Sequence, residues 1–177
     1  MAITRIGPNQ SINLASNITG TLPVANGGTA ITSGFINGTA TPGKVLQVVQ
    51  ASDSTQLSTT STSLVDVGLS ASITPSSSSN KVLIIVDAQG QFGSNTGFGN
   101  AIVRGSTAIF QTNNYSNYDS GATQTNTRAP YCYLDSPSTT DSTAYKLQVY
   151  CYNPGTVLMN EGSNPTTMTL MEIEAWL

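Results

Sequence analysis

At 177 residues the chain has room for one domain and an appendage, and only 8% of it is charged, against about 25% in ordinary globular chains. A net charge of −3, with Arg5, Lys44, Lys81, Arg104, Arg128 and Lys146 scattered singly, offers no cationic stripe for phosphates and excludes a nucleic-acid binder. Without a single His, the commonest general base and the usual partner of a nucleophilic Ser or Cys are both missing.

Residues 1 to 43 carry neither helical nor sustained strand periodicity, and Pro8, Pro23, Gly27, Gly28, Gly34, Gly38, Pro42 and Gly43 interrupt them throughout. The pattern predicts an extended arm. Apolar residues still recur in it, among them Ile12, Leu14, Ile18, Leu22 and Val24, which a purely flexible linker would lack. They are expected to anchor the arm on a partner, with the backbone adding to a sheet edge. The first twenty residues have no apolar stretch followed by a small-residue cleavage site, and no run approaches eighteen apolar residues. A soluble cytosolic product without membrane insertion is therefore expected. The N-x-S/T matches at Asn17, Asn37 and Asn114 are then chance products of an Asn- and Thr-rich chain.

From Lys44 onward, short runs rich in β-branched and aromatic residues alternate with turn clusters. Strands are predicted over 44–50, 56–61, 69–75, 81–92, 100–105, 107–112, 127–134, 143–153, 156–160 and 167–176. Their number and spacing indicate an all-β, antiparallel sandwich of jelly-roll type over residues 44–177, behind the arm of residues 1–43. In 143–153, Tyr145, Leu147, Val149 and Cys151 fall on one face and are expected inside, with Lys146, Gln148, Tyr150 and Tyr152 outside. In the last strand, Met171, Ile173 and Ala175 alternate with Glu172 and Glu174, which predicts two outward carboxylates. "VLIIV", Val82 to Val86, does not alternate, so both its faces should be covered, by a sandwich interior or by another copy of the chain.

Chemistry finds little purchase. Glu172 and Glu174, about 7 Å apart along a strand, could form a carboxylate pair, but spacing alone supplies neither cleft nor perturbed acidity, and two solvated glutamates are expected. "GQFGSNTGFGNA", Gly90 to Ala101, sits between strands and reads as a mobile loop or bulge rather than a phosphate cradle. "DSPSTTDST", Asp135 to Thr143, lacks the Gly and terminal Glu of a calcium loop, and reads as a hairpin loop whose side chains bond their own backbone. No catalytic, metal or cofactor-binding residue is assigned, and no cofactor is expected. If 136–141 is a hairpin turn, Cys132 lies opposite Tyr145 and about 20 Å from Cys151, too far for a bridge, so two free, buried thiols are expected. Tyr115, Tyr118, Tyr131, Tyr133, Tyr150 and Tyr152 gather near Asn, Ser and Thr. They are the candidate residues for surface recognition of a sugar or a protein.

"ITGTLPVANGGTA", Ile18 to Ala30, is similar to the "LPVANGGTG" segment of bacteriophage tail-fibre and related virion proteins. "KVLIIVDAQG" (81–90), "RGSTAI" (104–109), "YLDSPSTTDSTAYKLQVY" (133–150) and "TMTLMEIEA" (167–175) resemble the terminal β-sandwich of short virion appendage proteins. The resemblance implies a non-enzymatic structural protein of a phage virion: a homotrimeric short tail-fibre-like appendage joined by its arm to other phage structural proteins, with its far loops turned to a host glycan or protein. The chain has none of the shaft residues of long fibres. A capsid decoration protein and a free carbohydrate-binding module remain the alternatives.

Overall fold

A computed structural model describes residues 44 to 175, apart from 122 and 154. The expected arm, with Ile12, Leu14, Ile18, Leu22 and Val24, lies outside the described residues, as does Trp176. Eleven strands are present among the described residues: β1 (Val45–Asp53), β2 (Leu57–Thr59), β3 (Val65–Ile73), β4 (Lys81–Phe92), β5 (Thr96–Arg104), β6 (Thr107–Gln111), β7 (Asn117–Asp119), β8 (Thr125–Asp135), β9 (Thr143–Tyr152), β10 (Val157–Met159) and β11 (Thr166–Ile173).

Pairing explains the architecture. β1 pairs β11, β3 pairs β9, β4 pairs β8 and β5 pairs β6, all antiparallel. Taking these eight strands in chain order, the first pairs the last, the second the seventh, the third the sixth and the fourth the fifth. This is one long hairpin ribbon whose tip is the β5–β6 turn. Rolled on itself, the ribbon gives a first sheet ordered β1-β11-β4-β8 and a second ordered β3-β9-β5-β6, the double-sheet jelly roll. The short strands fill in: β10 continues the line of β11 beside β4 and carries β2, and β7 lies beside the start of β5.

Alternation places the core between the sheets. Val82, Ile84, Val86 and Ala88 of β4, with Met168 and Leu170 of β11, face Val67, Leu69 and Ile73 of β3 and Tyr145, Leu147, Val149 and Cys151 of β9. The expected inward set of β9 is therefore observed. Within the single chain the sandwich closes only one face of β4. Leu83 is half-buried and Ile85 is exposed, so "VLIIV" has one core face and one outer face.

The segment Gly90 to Ala101 is strand on both sides of a turn, not a loop. β4 runs to Phe92, Asn95 takes a left-handed backbone (φ 54°) and β5 begins at Thr96 in the other sheet. The glycines make close approaches possible. A Cβ on Gly90 would enter the ring of Phe98, and one on Gly97 would meet the backbone of Asn117. Residues 136–142 likewise are no hairpin turn. They carry the chain from β8 in the first sheet to β9 in the second, so Cys132 does not face Tyr145. Both thiols are free as expected, but Cys132 is exposed on the outer face of β8 while Cys151 is buried.

Candidate functional site

Of three buried polar clusters, two fasten loops to strands and the third joins the two sheets. The phase of β11 is set by Met168 and Leu170, which puts Glu172 inward with them at 1% exposure, contrary to the outward position expected. Its Oε1 accepts hydrogen bonds from the Ser76 amide (2.6 Å), the Ser76 hydroxyl (2.7 Å) and Asn80 Nδ2 (2.6 Å), and its Oε2 accepts one from Gln47 Nε2 (2.6 Å). Burial raises the carboxyl's pKa, but the bonds from Asn80, Gln47 and Ser76 outweigh it and hold it at about 2. At the other end of the β4–β11 ladder, Asn160 donates to Asp53 (3.1 Å) and to the Thr55 carbonyl (2.9 Å) and accepts from Thr166 (2.7 Å).

Asp135 forms the third cluster. It is buried, and Arg104 Nη1 donates to both its oxygens (3.0 and 2.8 Å) while the Tyr145 hydroxyl donates to Oδ2 (2.7 Å). Burial, with the neighbouring carboxylate, pushes the Tyr145 phenol up. Asp135 therefore bridges the two sheets instead of bonding its own loop. Glu172 thus accepts four hydrogen bonds and Asp135 three, all from structural donors.

The six candidate tyrosines divide into two groups. Tyr131 points into the sandwich, where its hydroxyl meets Asn100 Oδ1 (2.7 Å) and Ser116 Oγ (2.6 Å) and burial pushes its pKa up. Tyr133 packs beside it against Phe110, ring centroids 5.7 Å apart. Tyr150 stands on the outer face of β9 but is covered. Its ring lies over Gly99, and its hydroxyl sits 2.8 Å from the Thr112 carbonyl and 2.7 Å from that of Asn114. These three are structural, contrary to their expected exposure.

Tyr115, Tyr118 and Tyr152 do come together on the outer face of the second sheet. Gly97 pairs laterally with Tyr152 on one side and Tyr118 on the other, so the two tyrosines flank a position that has no side chain. Tyr115 closes the group, with ring centroids 4.7 Å from Tyr152 and 5.1 Å from Tyr118, themselves 5.8 Å apart. Tyr115 is 44% exposed and Tyr118 37%. The cluster adjoins a cleft of about 590 Å³ between residues 62–64, 111–114 and 150–153. Cys151 N donates to the Ser61 carbonyl (2.7 Å), and Tyr150 holds the opposite wall. The lining contains Thr, Ser, Gln and Asn but no Asp, Glu, Lys or Arg. Amides and hydroxyls beside aromatic faces suit a neutral, hydroxyl-rich ligand or a polar protein surface.

The fold is an antiparallel jelly roll whose second sheet carries an uncharged cleft beside a tyrosine cluster on its outer face. No protein-family model matches the chain, and no curated protein sequence resembles it. Among solved structures it is similar to the chain in "Structure of infectious bursal disease virus Gx strain", with 16% identity, a TM-score of 0.42 and coverage of 73% of this chain and 37% of that one. It is also similar to the "Crystal structure of infectious bursal disease virus VP2 subviral particle", at 13% identity, a TM-score of 0.42 and the same coverages. The chain thus spans a little over a third of the length of those proteins, and a likeness of this degree assigns it no role.

Proposed function

We propose that the chain is a non-enzymatic structural protein of a bacteriophage virion, a short appendage made of several copies. Residues 1–43 attach it to other particle proteins, and the sandwich of residues 44–177 faces outward. The observation that carries this reading is the fate of the polar side chains. Glu172 and Asp53 are spent on fastening loops and Asp135 on joining the two sheets, while the surfaces left for contact are an uncharged cleft with exposed tyrosines and an apolar sheet face. Such surfaces bind; they do not transfer protons. The resemblance of "LPVANGGTA" (22–30) and of the sandwich strands to virion appendages supports the same conclusion, and the tyrosine face is the surface we assign to host contact.

The test is on particles. Quantitative mass spectrometry and immunogold labelling should find the chain in purified virions, at the tail in few copies. Labelling over the capsid in many copies would make it a decoration protein, and absence from virions would overturn the reading. A chain lacking residues 1 to 30 is expected to keep the melting transition of the β-domain and yet not join the particle, since burial of about 1.5–3 kcal/mol per apolar anchor is available only on a partner. Normal incorporation of the truncated chain would show that the arm is no attachment device.

A further inference from the structure

The walls of the cleft on the second sheet are held from behind. On one side Thr112 N donates to the Asn100 carbonyl (3.0 Å), Asn100 N donates to the Thr112 hydroxyl (3.0 Å), and the buried Tyr150 hydroxyl sits between the carbonyls of Thr112 and Asn114. On the other, the Ser61 carbonyl accepts from Cys151 N and its hydroxyl donates to the Ser63 carbonyl (2.8 Å). The side-chain polar groups of Thr62, Ser63, Gln111, Asn113 and Asn114 are exposed and bond to no described residue. Free donors and acceptors on a fixed frame suit a ligand rich in hydroxyls, because little ordering is left for binding to cost.

Tyr152 lines the cleft and also packs against Tyr115 and Tyr118, so cleft and tyrosine group are one continuous surface. Its charge is one-sided. The cation of β9, Lys146, lies four residues before Tyr150, about 13 Å along the strand, and is paired with Asp66 (3.0 Å). The residue that follows Tyr118 is a carboxylate, Asp119. An anion placed here would lose water and find no described cation in the lining to replace it. Size decides between a sugar and a protein. About 590 Å³ falls within the roughly 300–1,000 Å³ of small-ligand pockets, whereas a protein partner needs about 800 Å² per side around a desolvated centre.

We propose that the cleft with Tyr115 and Tyr118 is one site for a neutral oligosaccharide. One sugar unit lies in the cleft, with its hydroxyls bonded by Ser63, Asn113 and Asn114, and the next lays its C–H face on Tyr115 and Tyr118. The inference rests on the host-contact reading above and adds the chemical class of the ligand and the exclusion of acidic glycans.

The test presents the intact 177-residue protein to immobilised neutral trimers of glucose, galactose, mannose, rhamnose and N-acetylglucosamine, beside anionic sialyllactose and galacturonate trimers. Calorimetry then measures the affinity of those that bind. At least one neutral oligosaccharide should bind, and the anionic ones should not. Tyr115→Ala, at an exposed position, should weaken binding about two- to tenfold, the worth of one aromatic contact. Adding Tyr118→Ala or Asn113→Ala should weaken it further at an unchanged melting temperature. Ser72→Ala, toward the other end of β9 on the same sheet, should leave it unchanged. No binding of any neutral oligosaccharide at millimolar concentration overturns the proposal, as does a preference for the anionic ones. Neutral binding that ignores Tyr115, Tyr118 and Asn113 overturns the site. Adsorption to host cells through Tyr115 that protease abolishes and periodate spares would make the occupant a protein, and the proposal falls. Each of these failures, with the chain present in purified virions, leaves the virion reading standing; absence from virions with neutral binding intact overturns that reading and spares the site.

Discussion

Replacing Glu172 by Gln is expected to cost the domain about 2–4 kcal/mol, because a buried acceptor of four bonds becomes an amide that turns an NH₂ toward donors. For a domain of this size, thermal unfolding should fall by roughly 5–15 °C. The loss should depend on pH in a defined sense. The folded carboxyl titrates near 2, against an ordinary value of 4.5, so its stabilising contribution is fully present above about pH 5 and disappears as pH falls toward 2. The lowered value corresponds to about 3 kcal/mol. Parent and variant should therefore differ most at neutral pH and converge near pH 2. Asp66, whose pKa is lowered by bonds from Gln148 and Lys146, is present in both chains and cancels. A gap that stays constant from pH 7 to 2 would mean that the charge on Glu172 contributes nothing.

The second large effect is expected at Asp135. Asp135→Ala leaves the Arg104 guanidinium and the Tyr145 hydroxyl without their shared acceptor between the sheets. The cost should be about 2–4 kcal/mol, at the lower end of what breaking a buried pair entails because Arg104 keeps the Ser136 carbonyl and partial access to water. In urea the midpoint should drop by about 1–2 M at an unchanged slope. Tyr145→Phe added to the Asp135→Ala variant should cost less than it does in the parent, since its partner is already gone. Equal costs in both backgrounds would show that the hydroxyl and the carboxylate act independently.

Much of the strand pattern could be read in the sequence, since β-branched alternation is a local signal. β4 falls on 81–92 as expected, and the inward residues of β9 are those that its alternation selects. The misreadings have physical causes. "MTLMEIEA" offers two apolar phases, Met168 with Leu170 or Met171 with Ile173 and Ala175, and the phase that wins brings a glutamate inside because Gln47 of β1 and Ser76 and Asn80 of the β3–β4 loop wait there. Those donors are distant in sequence. Gly97 and Gly99 read as loop residues because glycine weakens a strand, yet each makes room for a ring or backbone from a neighbouring element. The link after Asp135 has the length of a hairpin loop but crosses between sheets, a choice made by the whole ribbon. Only part of the tyrosine set was legible: exposure of Tyr115 and Tyr118 followed from their polar surroundings, whereas the covering of Tyr131, Tyr133 and Tyr150 depends on Asn100, Phe110 and the 112–114 loop, and Tyr152 is half-buried among the rings of its neighbours.

The apolar row Val48, Met171, Leu83 and Leu134 on the outer face of the first sheet was invisible for a related reason. It comes from four strands and exists only in register. Its meaning for the protein turns on whether the chain lives alone. The mass of the intact 177-residue protein at micromolar concentration, measured by light scattering, decides this most directly. A self-assembling virion component should scatter at three times the 18.4 kDa of one chain, and a folded, soluble species of 18.4 kDa across that range would contradict it.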